Sequence, residues 1–344
     1  MNGYISWKTS SVSELGLTQT VSLFSESEPI DPNEKMASVE VGPKVTGKCP
    51  SCGETVNIIP EEPKPESFGK AFERCDVESM RHFLQQGDVD LNQQYRPHQN
   101  TYLHMACFNN ESEIVSLLLE YGADPTIGNR FESTPLHTAA GMDSFACLRV
   151  LLSDAYKHKV DIDATTDIGQ TALYLACQQH KKRIVRFLLE KGANPNIPMS
   201  EEFGGETPLH FVSKMTYRYL VYLLLEYGAD PNITNTKGES SLWIIVRTCA
   251  VFSNCEEILR RFLQNGADID QRGKYGNTVM HLACGAYDVD LVRFLLENGA
   301  KPNEKNDEDE TPLDNARRAL DAFQDDEEAV DAANRCIELI EAQL

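Results

Sequence analysis

With 344 residues, 41% hydrophobic content and 53 acidic against 32 basic side chains, the chain can bury an extended apolar core and carries a formal charge of −21. That charge excludes a phosphate-backbone binder, which depends on Lys and Arg, and no apolar run approaches the ~18 residues of a membrane span. Met1 to Trp7 shows neither the basic start nor the apolar core of a secretory signal, and the ten cysteines read as reduced thiols of a cytoplasmic or nuclear protein rather than a disulfide framework.

Residues 1–45 are rich in Ser, Thr and acid, contain Pro29, Pro32 and Pro43, and have no sustained apolar period, so a disordered tail is expected there. Residues 46–60 hold Cys49-Pro50-Ser51-Cys52-Gly53, a Cys-x-x-Cys knuckle that presents two thiolates to one zinc ion, with Val45, Val56, Ile58 and Ile59 suited to a small flanking hairpin. A closed zinc site needs four ligands. No second pair lies nearby, so Cys49 and Cys52 would need Cys75, His82 or a second chain, and unmetallated thiols are the other reading. No further cofactor is expected. Residues 61–66 (Glu-Glu-Pro-Lys-Pro-Glu) form a stiff linker.

From residue 67 a pattern repeats to the end. Thr134-Pro135-Leu136-His137-Thr138-Ala139-Ala140 returns as Thr207-Pro208-Leu209-His210 and Thr311-Pro312-Leu313, with weaker copies at Thr101, Thr171, Ser240 and Thr278. Their first residues lie 33, 37, 36, 33, 38 and 33 positions apart. Thr134 fits a helix N-cap, and Pro135 fits the first helical position, where its missing donor costs nothing. Leu136, Ala139 and Ala140 give a short helix with a small-residue face. A second helix carries a bulkier stripe (Ile184, Val185, Leu188, Leu189) and ends at a glycine such as Gly192. Leu-Leu-Glu-x-Gly-Ala-x-Pro follows most copies at fixed distance, as at Leu224 to Pro231 and Leu295 to Pro302. Such a unit cannot bury its own apolar face and relies on stacked neighbours.

The two coupled motifs resemble the ankyrin repeat. The resemblance implies an all-α ankyrin-repeat solenoid of helix–turn–helix units with short hairpin tips, about seven to eight repeats including caps, over residues 67–344. Phe68 to Gln94 keeps the spacing without Thr-Pro-Leu-His and reads as the N-terminal cap; Ala329 to Leu344 reads as the C-terminal capping helix. The acidic stretch from Glu304 to Glu341 reads either as a solvated capping face or as a docking surface for a basic partner. Insertions break the period near Ala155 to His158, Met199 to Glu201 and Cys249 to Asn254.

His104, His137, His210 and His281 recur with the motif. Stacking sets them ~10 Å apart, too far to share one metal ion, and the resemblance implies that each bonds the Thr side of its own motif. Tyr174, Trp243 and Asp314 replace histidine, so those repeats should lack that bond. No nucleophile–base pair, phosphate loop or Gly-x-Ser-x-Gly elbow is present, and no enzyme is expected. The residues the repeat does not specify are the informative ones. In the family they lie at the tips and inner-helix ends of one concave face; here they include Phe108, Arg130, Phe131, Met142, Ile168, Lys181, Phe203, Lys214, Met215, Tyr217, Tyr275 and Tyr287. Aromatic, Met and Arg side chains are enriched in interface cores. Lys181, Lys182, Arg183, Lys214 and Arg218 form a basic edge that favours an acidic-hydrophobic ligand segment. The expected function is a monomeric, non-enzymatic adaptor or substrate-recognition scaffold that binds a partner polypeptide, with no nucleic acid or membrane. The alternative is a zinc-knuckle regulator of the ubiquitin pathway or of nucleic-acid processes.

Overall fold

The computed structural model describes residues 45–48, 55–58, 67–249, 256–322 and 327–343. The expected tail, Cys49 and Cys52, the linker and residues 250–254 lie outside the described residues. The chain divides into two units at Lys64 and Pro65. In the first, the described backbone is one antiparallel pair, β1 (Val45–Lys48) with β2 (Thr55–Ile58), with Val45 opposite Ile58 and Lys48 opposite Thr55.

The second unit is a succession of eight helix pairs among the described residues: α1 (Phe68–Glu73) with α2 (Val77–Gln86), α3 (Tyr102–Phe108) with α4 (Ser112–Glu120), α5 (Pro135–Gly141) with α6 (Phe145–Leu151) and α7 (Ala172–Gln178) with α8 (Lys182–Glu190). There follow α9 (Pro208–Lys214) with α10 (Arg218–Glu226), α11 (Ser241–Cys249) with α12 (Glu256–Gln264), α13 (Val279–Gly285) with α14 (Val289–Glu297) and α15 (Pro312–Ala322) with α16 (Glu327–Glu341). The inner helices pack each on the next from α3 to α15. Small side chains make this possible: Ala106, Ala139, Ala140, Ala176 and Ala283 are fully buried between them. The outer helices add Leu and Val, and one apolar core, from Phe68 to Ile340, runs through the unit. Two steps of the outer row, α6 to α8 and α12 to α14, bring their helices together less closely than the others.

The all-α solenoid expected over residues 67–344 stands, and its hairpin tips are corrected. Among the described residues the only sheet is β1 with β2, which lies outside the helical unit. The tips contain no strand, and pairing across them shrinks to single bridges, Tyr95 with Asn100 and Thr234 with Ser240. Competition from side chains explains why. The Asn129 side-chain oxygen accepts from the N–H groups of Phe131 and Ser133. Asn235 does the same for Lys237 and Glu239, and Asn306 for Glu308 and Glu310. A local acceptor takes the donors that a ladder would have used. Each tip then closes through a left-handed residue two places before the helix cap: Gln99, Glu132, Gly169, Gly205, Gly238, Gly276 or Asp309.

The motif histidines do more than bond their own caps. Nδ1 of His137 accepts from the Thr134 backbone N–H at 3.1 Å, and Nε2 lies 3.1 Å from the carbonyl of Gln170, in the next repeat. His104 joins Thr101 to Ser133, His210 joins Thr207 to Glu239, and His281 joins Thr278 to Glu310 in the same way. A backbone N–H can only donate, so Nδ1 must be the acceptor and Nε2 must carry the proton. All four rings are buried.

The three replacements differ from one another. Asp314 keeps the local half of the arrangement, its carboxylate accepting from the Thr311 N–H at 2.9 Å and from the hydroxyl at 2.7 Å. The expected loss of the bond therefore does not occur there. Tyr174 turns to ring packing, 5.7 Å from Phe211. Trp243 is buried beneath Gly273, where a Cβ would lie 2.6 Å from the indole, so only glycine fits. Its Nε1 has no hydrogen-bond partner among the described residues.

Burial holds His137 at about 4, against 6.5 when free. The unfolded chain therefore takes the proton first. The contribution of this ring is whole above pH 6.5 and is lost as pH falls to about 4, a span worth roughly 3 kcal/mol. Thermal melts between pH 7 and 4 should show a shallower decline for His137→Gln than for the wild type; parallel declines would contradict the assignment.

Candidate protein-binding surface

The turn from inner to outer helix is built alike in six repeats. Cys75, Asn110, Asp143, His180, Thr216 and Tyr287 all have left-handed backbone, with φ between 53° and 62°. The reason is local. With that residue turned, the next N–H reaches back to the inner helix: Ser144 to Ala139, Lys181 to Ala176 and Tyr217 to Val212, each at 2.9 Å. Asn and Asp tolerate the conformation, whereas a β-branched Thr or a bulky Tyr is strained in it. The side chains at these turns are thus fixed in step along the stack.

The tips are in step as well. One backbone hydrogen bond joins each of several neighbouring tips: Arg130 donates to His98 at 3.0 Å, Asp167 to Phe131 at 3.1 Å, Ser200 to Ile168 at 3.1 Å, Thr236 to Gly204 at 3.0 Å and Asp307 to Tyr275 at 3.1 Å. Phe131, Ile168 and Tyr275 themselves supply acceptors in this series, so three of the residues nominated from sequence stand in one row.

Side-chain exposure sorts the nominees. Phe108, Met142, Phe203 and Met215 are exposed, and Tyr275 is the most open of the set at 63%. Phe131, Ile168, Tyr217 and Tyr287 are half-buried. Phe131 lies between its neighbours, stacked on His98 at 6.3 Å with the Arg130 guanidinium 5.0 Å from its ring centre. Tyr217 stacks on His180 at 4.1 Å. Lys181 and Lys214 are occupied, paired with Asp143 and Glu206, each at 3.1 Å. Tyr219, on α10, is also exposed and was not nominated; it accepts from Arg186 at 2.7 Å. Its sequence signal is weak, an aromatic at the polar edge of a Leu-rich helix.

Among the described residues no arrangement suited to catalysis emerges. The large pKa shifts belong to packed groups: burial raises the thiols of Cys177 and Cys284 and lowers the motif histidines. Among the described residues no group of three or more His, Cys, Asp or Glu side chains could hold a metal ion. Cys49 and Cys52 are outside those residues. Of the partners considered for them, Cys75 is exposed at a turn and His82 lies on α2, in hydrogen-bond reach of Gln86.

Comparison with known proteins follows this geometry. The family model for ankyrin repeats matches in three copies, over residues 69–165, 155–235 and 248–324. The B-cell lymphoma 3 protein homolog of Mus musculus is 28% identical over 236 residues, covering 68% of this chain and 43% of that protein. The transient receptor potential cation channel subfamily A member 1 homolog of Caenorhabditis elegans is 29% identical over 222 residues, 64% of this chain and 17% of that protein. The crystal structure of the ankyrin repeat domain of Bcl-3 has a TM-score of 0.49 at 26% identity, covering 76% of this chain and 100% of that one. This chain thus spans less than half the length of the two curated relatives.

The sorting has a measurable consequence. Tyr275→Ala should leave unfolding free energy within about 0.5 kcal/mol of wild type, whereas Phe131→Ala should cost about 1 kcal/mol through its lost ring contacts. Urea denaturation of the two variants checks this, and a larger loss at Tyr275 than at Phe131 would reverse the sorting.

Proposed function

The chain belongs to the ankyrin-repeat family, a scaffold for protein–protein contact rather than catalysis, and we propose that its tips and inner-helix ends hold a partner polypeptide along one concave face. One observation carries the reading. Of the six large apolar side chains exposed among the described residues, five (Phe108, Met142, Phe203, Met215 and Tyr275) sit at inner-helix ends or tips, and one sits on an outer helix. Folding does not require apolar groups there, and leaving them in water carries a solubility risk. Their types match those enriched in interface cores.

In this reading the stack is a rigid support. The bound segment lies across successive repeats, with apolar contacts at Met142, Phe203, Met215 and Tyr275, while Phe131 and Tyr217 are held ready by their stacking partners. Residues 1–45, 46–60 and 61–66 act as tail, knuckle and linker ahead of the repeat domain at 67–344, which works as a monomer. Among the described residues six cysteines are free, five of them buried, which supports a reducing compartment, cytoplasm or nucleus.

Site-specific crosslinking tests the face directly. Benzoylphenylalanine placed at Phe203 or Tyr275 should form adducts with a partner in cells, and placed at Tyr219 it should form few. The triple variant Met142→Ser, Met215→Ser, Tyr275→Ser should lose those adducts with little change in melting temperature. Adducts that are strongest at Tyr219, or that survive the triple variant, would contradict the proposal.

A further inference from the structure

In a chain with a net charge of −21, cations are expected to be neutralised by nearby carboxylates. Two cations of the basic edge read from the sequence behave so: Lys181 pairs with Asp143 and Lys214 with Glu206. Three neighbours do not. Arg149 on α6 and Lys182 and Arg183 on α8 are exposed and have no carboxylate within ion-pair distance among the described residues.

These three line one cavity of about 650 Å³, together with Phe145, His180 and Lys181. Its origin is the irregular interval between the repeats. The chain inserts a short 3-10 turn, Lys157–Lys159, after α6, and α6 has seven residues against nine in α4, α8 and α10. The outer helices therefore part at this step. Phe145 reaches across to Phe187 edge-on at 5.1 Å, and the Arg183 guanidinium lies 3.7 Å from the centre of the Phe145 ring. A guanidinium over a ring face still has N–H donors to offer an anion. The carboxylate at the cavity, Asp143, is already covered by Lys181.

We propose that this cavity anchors the acidic end of a partner peptide segment: clustered carboxylates or a phosphoryl group, accepting from Arg149, Lys182 and Arg183. The proposal rests on the reading of the chain as a polypeptide-binding scaffold, and it names the chemistry of the bound segment. Asp143 follows Met142 directly, and His180 stacks on Tyr217, so the cavity adjoins the proposed apolar row. Arginine forks match planar and tetrahedral anions bidentately. A long polyanion such as nucleic acid would meet the repulsion of the whole chain, whereas a short acidic stretch engages only the local cluster.

The test uses the full chain and fluorescence polarisation with two probes, fluorescein-labelled hexaglutamate and a labelled Gly-Ser hexapeptide bearing two phosphoserines. At least one should bind, and R149Q/R183Q should weaken it by roughly tenfold or more, with at most a small fall in melting temperature from the lost contact of Arg183 with the Phe145 ring. Hexaglutamate preference assigns carboxylates as the natural source and phosphopeptide preference assigns phosphate; either supports the proposal. Neither probe has apolar side chains, so Tyr275→Ser should leave both titrations intact, and failure of the apolar row is read separately from failure here. Absence of binding by both peptides, undiminished binding by R149Q/R183Q, or tighter capture of a single-stranded dodecanucleotide through the same residues would overturn it.

Discussion

A neutral histidine buried between two repeats is the interaction on which this architecture turns. Threonine caps the inner helix, histidine three places on accepts from the cap's own N–H, and the far ring nitrogen donates to the carbonyl just before the next cap. One side chain thereby satisfies an orphan donor at a helix start and an acceptor in the following tip. Local helix initiation and longer-range stacking become the same event. A repeat with no self-sufficient core gains both order and orientation from it. Burial keeps the ring neutral, and neutrality is what lets it accept on one side and donate on the other.

The departures from this scheme follow its logic. At Asp314 the described residues hold no following tip to accept a bond, and the carboxylate, an acceptor only, serves the cap alone. At Trp243 ring volume replaces hydrogen bonding. Gly273 makes room for the indole, and Arg247 covers it from 5.1 Å while bonding to Glu239 at 3.0 Å. Among the described residues that repeat is held by packing and the half-buried Arg247–Glu239 pair, and the indole N–H has no partner, which carries an energetic cost. Tyr174 similarly exchanges bonds for aromatic contact.

Much of the fold was legible because its signals are local. A Thr cap, a Pro at the first helical position and a terminal glycine each encode a helix boundary within a few residues. What escaped depends on partners distant in sequence. The carbonyl that receives each histidine lies 29 or 33 positions ahead, and the Asp143 that occupies Lys181 lies 38 behind. Strand content at the tips was misjudged because Asn129, Asn235 and Asn306 capture the tip donors with their own side chains. Exposure of Phe108, Met142, Phe203, Met215 and Tyr275 was readable as apolar residues at positions the repeat leaves free. The basic cavity was not, since Arg149 looks like any polar-face arginine until α6 and α8 part.

Regular stacking and irregular surface therefore divide the labour. Conformation at the turns is fixed by backbone hydrogen bonds, so side chains there vary without disturbing the core, and variation in this chain is apolar along the tips and basic at the step from α6 to α8. The central claim concerns the protons on four rings. Long-range proton–nitrogen correlation of the imidazoles at pH 6.5 tests it most directly. His104, His137, His210 and His281 should all be neutral with the proton on Nε2. A population with the proton on Nδ1, or imidazolium at any of the four, would mean that the ring does not join one repeat to the next in the way described.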